Sequence, residues 1–296
     1  GLADMEAKVP VAIITDSGAS LPETNDLPLS TSILRVVPQQ IVVDGQSFLD
    51  GQGITHRQFY RSLPDMKTMP TTSAPSPASF AEAFRSATTE GMSVLCITVS
   101  PEFSSTYRAA NLALGLVRAE QLGADIQIID SETAAGGQGL IVLEAVRLAT
   151  AGYSIEQISD ALKRLTPQVR LLAFLDTLRF LWKSGRVPVI AHWGTRLLHI
   201  KPLFEMHRGN VKLIARVRSR RRALTQMVDL SLRDVGSRKA HIAVLHGDDP
   251  VGADDIRTRF RMECNSPEIY VSEFSPVMGA HTGPGLLGVA YWVENE

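Results

Sequence analysis

The feature that most constrains this chain is a repeated alternation in its first half. Short, mostly apolar runs at residues 11–14, 94–99 and 126–129, and an extended region at 36–43, are separated by longer stretches with helical spacing at 55–63, 77–90, 105–122 and 137–151. A strand that is apolar on every residue has to be covered on both faces, which is the situation inside a parallel sheet. Strand–helix alternation supplies that cover, so the first half is predicted to be a three-layer α/β/α unit around a parallel sheet. A further helix is expected at 154–166.

After that point the pattern changes. Residues 170–176, 201–205, 211–217, 241–246, 268–273 and 288–293 read as strands, and long helices are expected at 221–236 and 252–262. The segment between 205 and 211 reads as a hairpin with Gly209-Asn210 at its turn. The expected unit is a two-layer, mixed and partly antiparallel sheet with helices on one face. The sequence therefore predicts two different α/β domains, residues 1–166 and 167–296, with no low-complexity linker between them.

Composition narrows the function. Thirty Lys and Arg face 31 Asp and Glu, a net charge of −1, which argues against bulk attraction to nucleic acid or an acidic membrane. No run approaches the ~18 consecutive apolar residues of an integral membrane segment. The acidic start, Gly1-Leu2-Ala3-Asp4-Met5-Glu6, is not a secretory signal. Gly1 is not an initiator, so residues 1–4 read as an appendage and Met5 as the expected native start. Cys96 and Cys264 lie in separate apolar stretches and read as buried thiols in a reducing, cytoplasmic setting. A Walker loop, a paired-His zinc motif, Cys-x-x-Cys and a Gly-x-Ser-x-Gly elbow are all missing from the sequence, so no metal or cofactor is expected. Gly283-Pro284-Gly285-Leu286-Leu287-Gly288 fits the dinucleotide fingerprint in form alone. An apolar, strand-like run follows it where a helix should stand, so its glycines read instead as letting the backbone pass close to a ligand.

Hydroxyl clusters carry more information. Asp16-Ser17 and Asp130-Ser131 close two strands; Thr71-Thr72-Ser73-Ala74-Pro75-Ser76 precedes a helix; Ser100-Pro101-Glu102-Phe103-Ser104-Ser105-Thr106 joins a strand to a helix. Such residues cap helices, and the same free N–H groups and hydroxyls suit an anionic head group. Ligands of open α/β sheets lie beyond the carboxyl ends of the strands, where these loops are expected. His281 stands between glycines with little packing of its own, free to aim at a ligand. From Lys201 to Arg222 eight basic residues face only Glu205. Arg216, Arg218 and Arg220 alternate as on one strand face, either a solvated face or a site for phosphate or an acidic partner. Nucleic acid is not favoured, because no aromatics interleave with the arginines.

In their order along the chain, these segments resemble the DegV family of bacterial fatty acid-binding proteins. The resemblance runs from Val11 to Val293. It rests on Thr15-Asp16-Ser17, on Thr72 to Ser76, and on Ser104-Ser105-Thr106-Tyr107. It rests further on Ser184-Gly185-Arg186, Ile200-Lys201-Pro202, Val217-Arg218-Ser219-Arg220 and His281-Thr282-Gly283-Pro284-Gly285. It implies a long-chain fatty acid in a tunnel, its carboxylate bonded by Thr72 and Ser104 and approached by His281, with Ser73 and Ser17 adjacent. It also implies a separate fatty acid kinase subunit that phosphorylates the carboxylate toward phospholipid synthesis, with Arg186 and Arg218 meeting that partner or the phosphate. Ser105, Ala74 and Ser184 depart from the family's common Gly, Gln and Gly, and Pro188 follows the arginine turn. The competing expectations are an autonomous serine-dependent hydrolase, with Ser104 as nucleophile, His281 as base and Asp16 or Asp130 as orienter, and a regulatory lipid-sensing protein.

Overall fold

The structure, a computed structural model, describes residues 8–23 and 31–295; the expectations for Gly1 to Glu6 fall outside them. In chain order the first part contains β1 (Val11–Asp16), β2 (Leu34–Val37), β3 (Gln40–Val43), β4 (Gln46–Leu49), α1 (His56–Ser62) and β5 (Thr71–Ser73). It continues with α2 (Pro77–Thr89), β6 (Ser93–Thr98), α3 (Thr106–Glu120), β7 (Ile126–Asp130), α4 (Ala135–Thr150) and α5 (Ile155–Leu165). Then follow β8 (Arg170–Phe174), α6 (Arg179–Ser184), α7 (Val189–His192), β9 (Lys201–His207), β10 (Asn210–Val217) and α8 (Arg220–Val235). The chain closes with β11 (Ala240–His246), α9 (Pro250–Glu263), β12 (Glu268–Glu273), α10 (Pro276–Thr282) and β13 (Leu287–Val293).

The apolar runs of the first half form a parallel sheet in the order β2-β1-β6-β7. Every residue of β1 and of β6 is buried, as a two-sided strand requires. Phe80 and Phe84 of α2 and Ala110, Ala113 and Val117 of α3 pack on one face. Ile141 and Val142 of α4 and Ile158 and Leu162 of α5 pack on the other. The second half forms a mixed sheet in the order β10-β9-β8-β13-β11-β12, antiparallel except for the β11–β12 pair. Its helices α8 and α9 cover one face through Met227, Val228, Ile256 and Phe260.

The opposite face of the mixed sheet rests on α4, which also packs against β1 and β6 and so lies between the two sheets. The close approach depends on missing side chains. A Cβ on Gly136 would lie 2.9 Å from Leu245 Cδ2, and one on Gly139 would lie 2.4 Å from the Ala19 carbonyl oxygen.

Three expectations need correction. The extended region 36–43 is two strands: β2 stays in the parallel sheet, the chain turns at Pro38-Gln39, and β3 enters a third, antiparallel sheet of order β4-β3-β5. Proline supplies no N–H to continue a ladder, so the run breaks there. The β9–β10 turn is Arg208-Gly209, not Gly209-Asn210, because His207 and Asn210 are paired across the hairpin. Both turn residues have positive φ, 52° and 76°, which matches the twist of a two-residue hairpin. Arg216, Arg218 and Arg220 do not share a strand face. β10 ends at Val217, and Arg220 opens α8 behind its N-cap Ser219.

Candidate functional site

The loops at the carboxyl ends of the parallel strands, β5, α10 and the segment after α6 surround one cavity of about 120 Å³. Its wall is mostly apolar, with Leu171, Ile190, Phe204, Met206, Leu245 and Phe274 among the lining side chains. Its polar lining includes Thr72, Ser73, Ser104, Arg186, His281 and Gln39 and, among the described residues, no Asp or Glu. The few polar groups would fix a ligand's orientation.

Each polar group is held by identifiable structure. Thr72 sits on the edge strand β5, in register with Ile41 of β3. Its Oγ1 lies 2.9 Å from His281 Nε2. Arg186 Nη2 donates to the Thr72 carbonyl at 2.9 Å. Arg186 itself follows a left-handed Gly185 (φ 62°) that ends α6, a conformation glycine adopts without a Cβ clash. Ser104 accepts from the Thr106 amide at 3.2 Å and shares a 2.7 Å hydroxyl pair with Thr106, so it also starts α3.

His281 lies in the last turn of α10. Burial, together with the nearby Arg186 guanidinium, pulls its pKa down to about 4, so the imidazole is neutral at physiological pH. Its Nδ1 is buried and has no hydrogen-bond partner among the described residues. Helix α10 is tied down at its start by Asp50, which accepts from Ser275 Oγ at 2.7 Å and from the Val277 amide at 3.2 Å. Tyr60 Oη donates to the Phe274 carbonyl at 3.1 Å, and a Cβ on Gly279 would meet that hydroxyl at 2.5 Å. The third sheet and α1 thus fix the helix that carries His281.

Behind the cradle, the fully buried Asp16 joins two of the loops. It accepts from the Gly18 amide at 2.9 Å, the Val99 amide at 3.2 Å and Gln138 Nε2 at 2.9 Å. Burial raises its carboxyl pKa, opposed by these bonds, Gln138 first. Gly18 and Val99 both line the cavity, so Asp16 acts through the backbone it holds.

Thr72, Ser73, Ser104, Arg186 and His281 therefore surround one space. Two predicted residues do not join them. Ser17 accepts from the Gln39 amide at 3.0 Å, and its neighbours Gly18 and Gln39 reach the cavity instead. Arg218 is exposed beyond the end of β10. The second Asp-Ser turn is spent locally: Asp130 accepts from the Glu132 amide at 2.7 Å, and Ser131 Oγ donates to the Thr133 carbonyl at 3.2 Å. Gly283, Gly285 and Gly288 are not among the residues that line the cavity. Gly283 (φ 72°) and Gly285 (φ 94°) make room for Phe180 and Asp176, whose atoms would lie 2.3 Å and 2.0 Å from an added Cβ. A helix precedes this motif and a strand follows it, the reverse of a dinucleotide fold.

Gln138 and Asp50 are not singled out by sequence motifs. Gln138 does carry a signal, since it stands among Gly136, Gly137 and Gly139 in a helix. Glycines inside a helix mark close packing, and a polar residue there is buried with its bonds made internally. The supposed nucleophile and base are not bonded to each other: Ser104 is paired with Thr106, and His281 with Thr72. Among the described residues, no group of three or more His, Cys, Asp or Glu is placed to hold a metal ion, and no helix is long and apolar enough to cross a membrane.

Fold and site together define an α/β protein with an interior apolar cavity and a neutral hydroxyl–imidazole cradle among its lining. The chain belongs to the DegV family, whose family model, described as "Uncharacterised protein, DegV family", matches residues 10–294. A DegV domain-containing protein of Deinococcus radiodurans is 34% identical over 287 residues, covering 95% of this chain and 97% of that one. A solved DegV family protein from Thermus thermophilus, described as fatty acid-binding, superposes with a TM-score of 0.86 at 28% identity, over 97% of this chain and 100% of that one. A stearic acid-binding protein from Eubacterium ventriosum superposes with a TM-score of 0.85 at 26% identity, over 96% and 98%.

Proposed function

We propose that this protein binds a long-chain fatty acid, with the acyl chain against the apolar wall and the carboxylate at Thr72, Ser104 and His281. The observation that carries this reading is the make-up of the cavity: a mostly apolar wall, hydroxyl and imidazole groups beside Arg186, and, among the described residues, no acidic side chain. A chain of about 14 methylenes gains about 0.8 kcal/mol for each one buried, about 11 kcal/mol before the costs of association. Binding strength therefore comes from the chain, and the head-group contacts set its orientation. With His281 Nε2–H donating to Thr72 Oγ1, the threonine proton is free to donate to the carboxylate. Ser104 donates likewise, and Ser73, exposed at the rim, stands close to the same end.

In this reading the protein is a carrier working in the cytoplasm. It presents the carboxylate to a separate kinase subunit that supplies ATP, on the way to phospholipid synthesis. The carboxylate oxygen attacks the γ-phosphorus, the bond to the ADP oxygen breaks, and ADP leaves. Arg186 beside the cradle and the exposed Arg218 are the groups assigned to the phosphate or the partner surface.

Native mass spectrometry of freshly purified protein, followed by organic extraction, tests the carrier reading. The expected result is a stoichiometric co-purifying fatty acid that is lost in Ser104→Ala with the fold intact by circular dichroism. A lipid-free protein that hydrolyses ester substrates would overturn it. For the partner, ADP release should require the loaded carrier, the kinase subunit and ATP together.

A further inference from the structure

Gln39 lines the cavity from the turn between β2 and β3, and it is only 6% exposed. Its backbone is pinned on both sides. The Gln39 amide donates to Ser17 Oγ at 3.0 Å, and its carbonyl accepts from the Asp50 amide at 2.8 Å. The strand register places it at the polar end of the cavity. Gln40 stands opposite Ser73 and Ile41 opposite Thr72, so Gln39 follows on beside Ala74, another lining residue. The carboxamide rests against Gly18, 3.4 Å (Oε1) and 3.6 Å (Nε2) from where a Cβ would stand, and Gly18 lines the cavity too. Ser17 Oγ lies 3.5 Å from Gln39 Oε1, which leaves Nε2 as the other end of the group. Among the described residues, Nε2 has no hydrogen-bond partner.

We propose that Gln39 is a further head-group residue, its Nε2 donating to the fatty acid carboxylate and selecting an ionised acid over an uncharged end group. A carboxylate accepts at about four lone-pair sites, and leaving them open in an apolar cavity is costly. Thr72 and Ser104 each offer one hydroxyl proton, so sites remain for other donors. The Gln39 Nε2 group carries two N–H donors and no charge, so its own burial costs far less than that of a cation. An alcohol has one oxygen in place of two and is satisfied by fewer donors, so the extra donor favours the acid. This inference rests on the carrier reading and adds to it the residue that tells a carboxylate from an alcohol.

Competition binding with palmitate and hexadecanol, which share the chain and differ at the head, tests this in the wild type, Gln39→Leu and Gln39→Glu. The chain dominates both affinities, so hexadecanol reports whether the cavity is intact. The expected result is that Gln39→Leu weakens palmitate by about tenfold, the scale of one hydrogen bond to a charged group, and leaves hexadecanol unchanged. Gln39→Glu sets a second carboxylate against the first, and above neutral pH it should weaken palmitate by about a hundredfold. Equal loss of both ligands in Gln39→Leu would give Gln39 a packing role alone and overturn the proposal. Wild-type palmitate affinity in either variant would overturn it too, while leaving the carrier reading intact. Failure of the wild type to bind palmitate would overturn both.

Discussion

Thr72 Oγ1 and His281 Nε2 lie 2.9 Å apart although 209 positions separate them in the chain. The contact joins an edge strand of the small antiparallel sheet to the last turn of α10. Thr72→Val keeps the shape and removes the hydroxyl, leaving a buried imidazole nitrogen unpaired. A lost hydrogen bond to a charged group costs about 1.5–3 kcal/mol. Palmitate affinity, measured by displacement of a fluorescent fatty acid, is expected to fall about 10- to 100-fold.

The depressed pKa of His281 makes stability depend on pH. The imidazole titrates at about 4 in the folded protein against an ordinary value of 6.5, so between those values the unfolded chain binds the extra proton. Stability is therefore lost as pH falls from about 6.5 to about 4, by up to about 3 kcal/mol from this residue. Urea midpoints of delipidated protein should show this slope, and His281→Asn should flatten it.

Gln138 donates to Asp16 at 2.9 Å and to Thr15 Oγ1 at 3.0 Å. Gln138→Leu leaves a buried carboxylate with one donor fewer, at a cost of about 1–3 kcal/mol. Chemical denaturation should show the loss. Hydrogen exchange should quicken at the Gly18 and Val99 amides, which Asp16 holds.

The turn after α10 leaves no room for side chains. Gly283→Ala puts a Cβ 2.3 Å from Phe180 Cδ2 at a φ of 72°. Strained backbone costs about 1–2 kcal/mol and overpacking about 1–3 kcal/mol. In a double-mutant cycle, Phe180→Ala should recover the packing part and leave the backbone part.

Val187 lines the cavity from the loop after α6 and is only partly buried. Val187→Trp fills acyl space without touching the hydroxyls. Affinity should shift from palmitate toward decanoate, read as a reversal of their order in competition binding.

Much of the architecture is legible in the residues. The all-apolar runs of β1 and β6 demanded cover on both faces, and the helices between them provided it. Local turn chemistry marked the Thr72, Ser104 and His281 loops, because hydroxyls before helices and a histidine among glycines are features of nearby sequence. The turn at Pro38-Gln39 and the end of β10 before Arg220 were less visible. Alternation of side chains looks the same whether a strand continues or the chain leaves the sheet.

Sequence alone determined the parallel three-layer unit, the mixed sheet and the loops that carry the polar groups, since each follows from periodicity within a few dozen residues. Tertiary structure decided which of those groups meet. It placed Thr72 against His281, turned Ser17 toward Gln39, and buried Gln138 beside Asp16. Those choices depend on how closely α4 and α10 approach the sheets. That distance is set by the absence of side chains at Gly136, Gly139 and Gly279, a packing constraint between segments far apart in the chain.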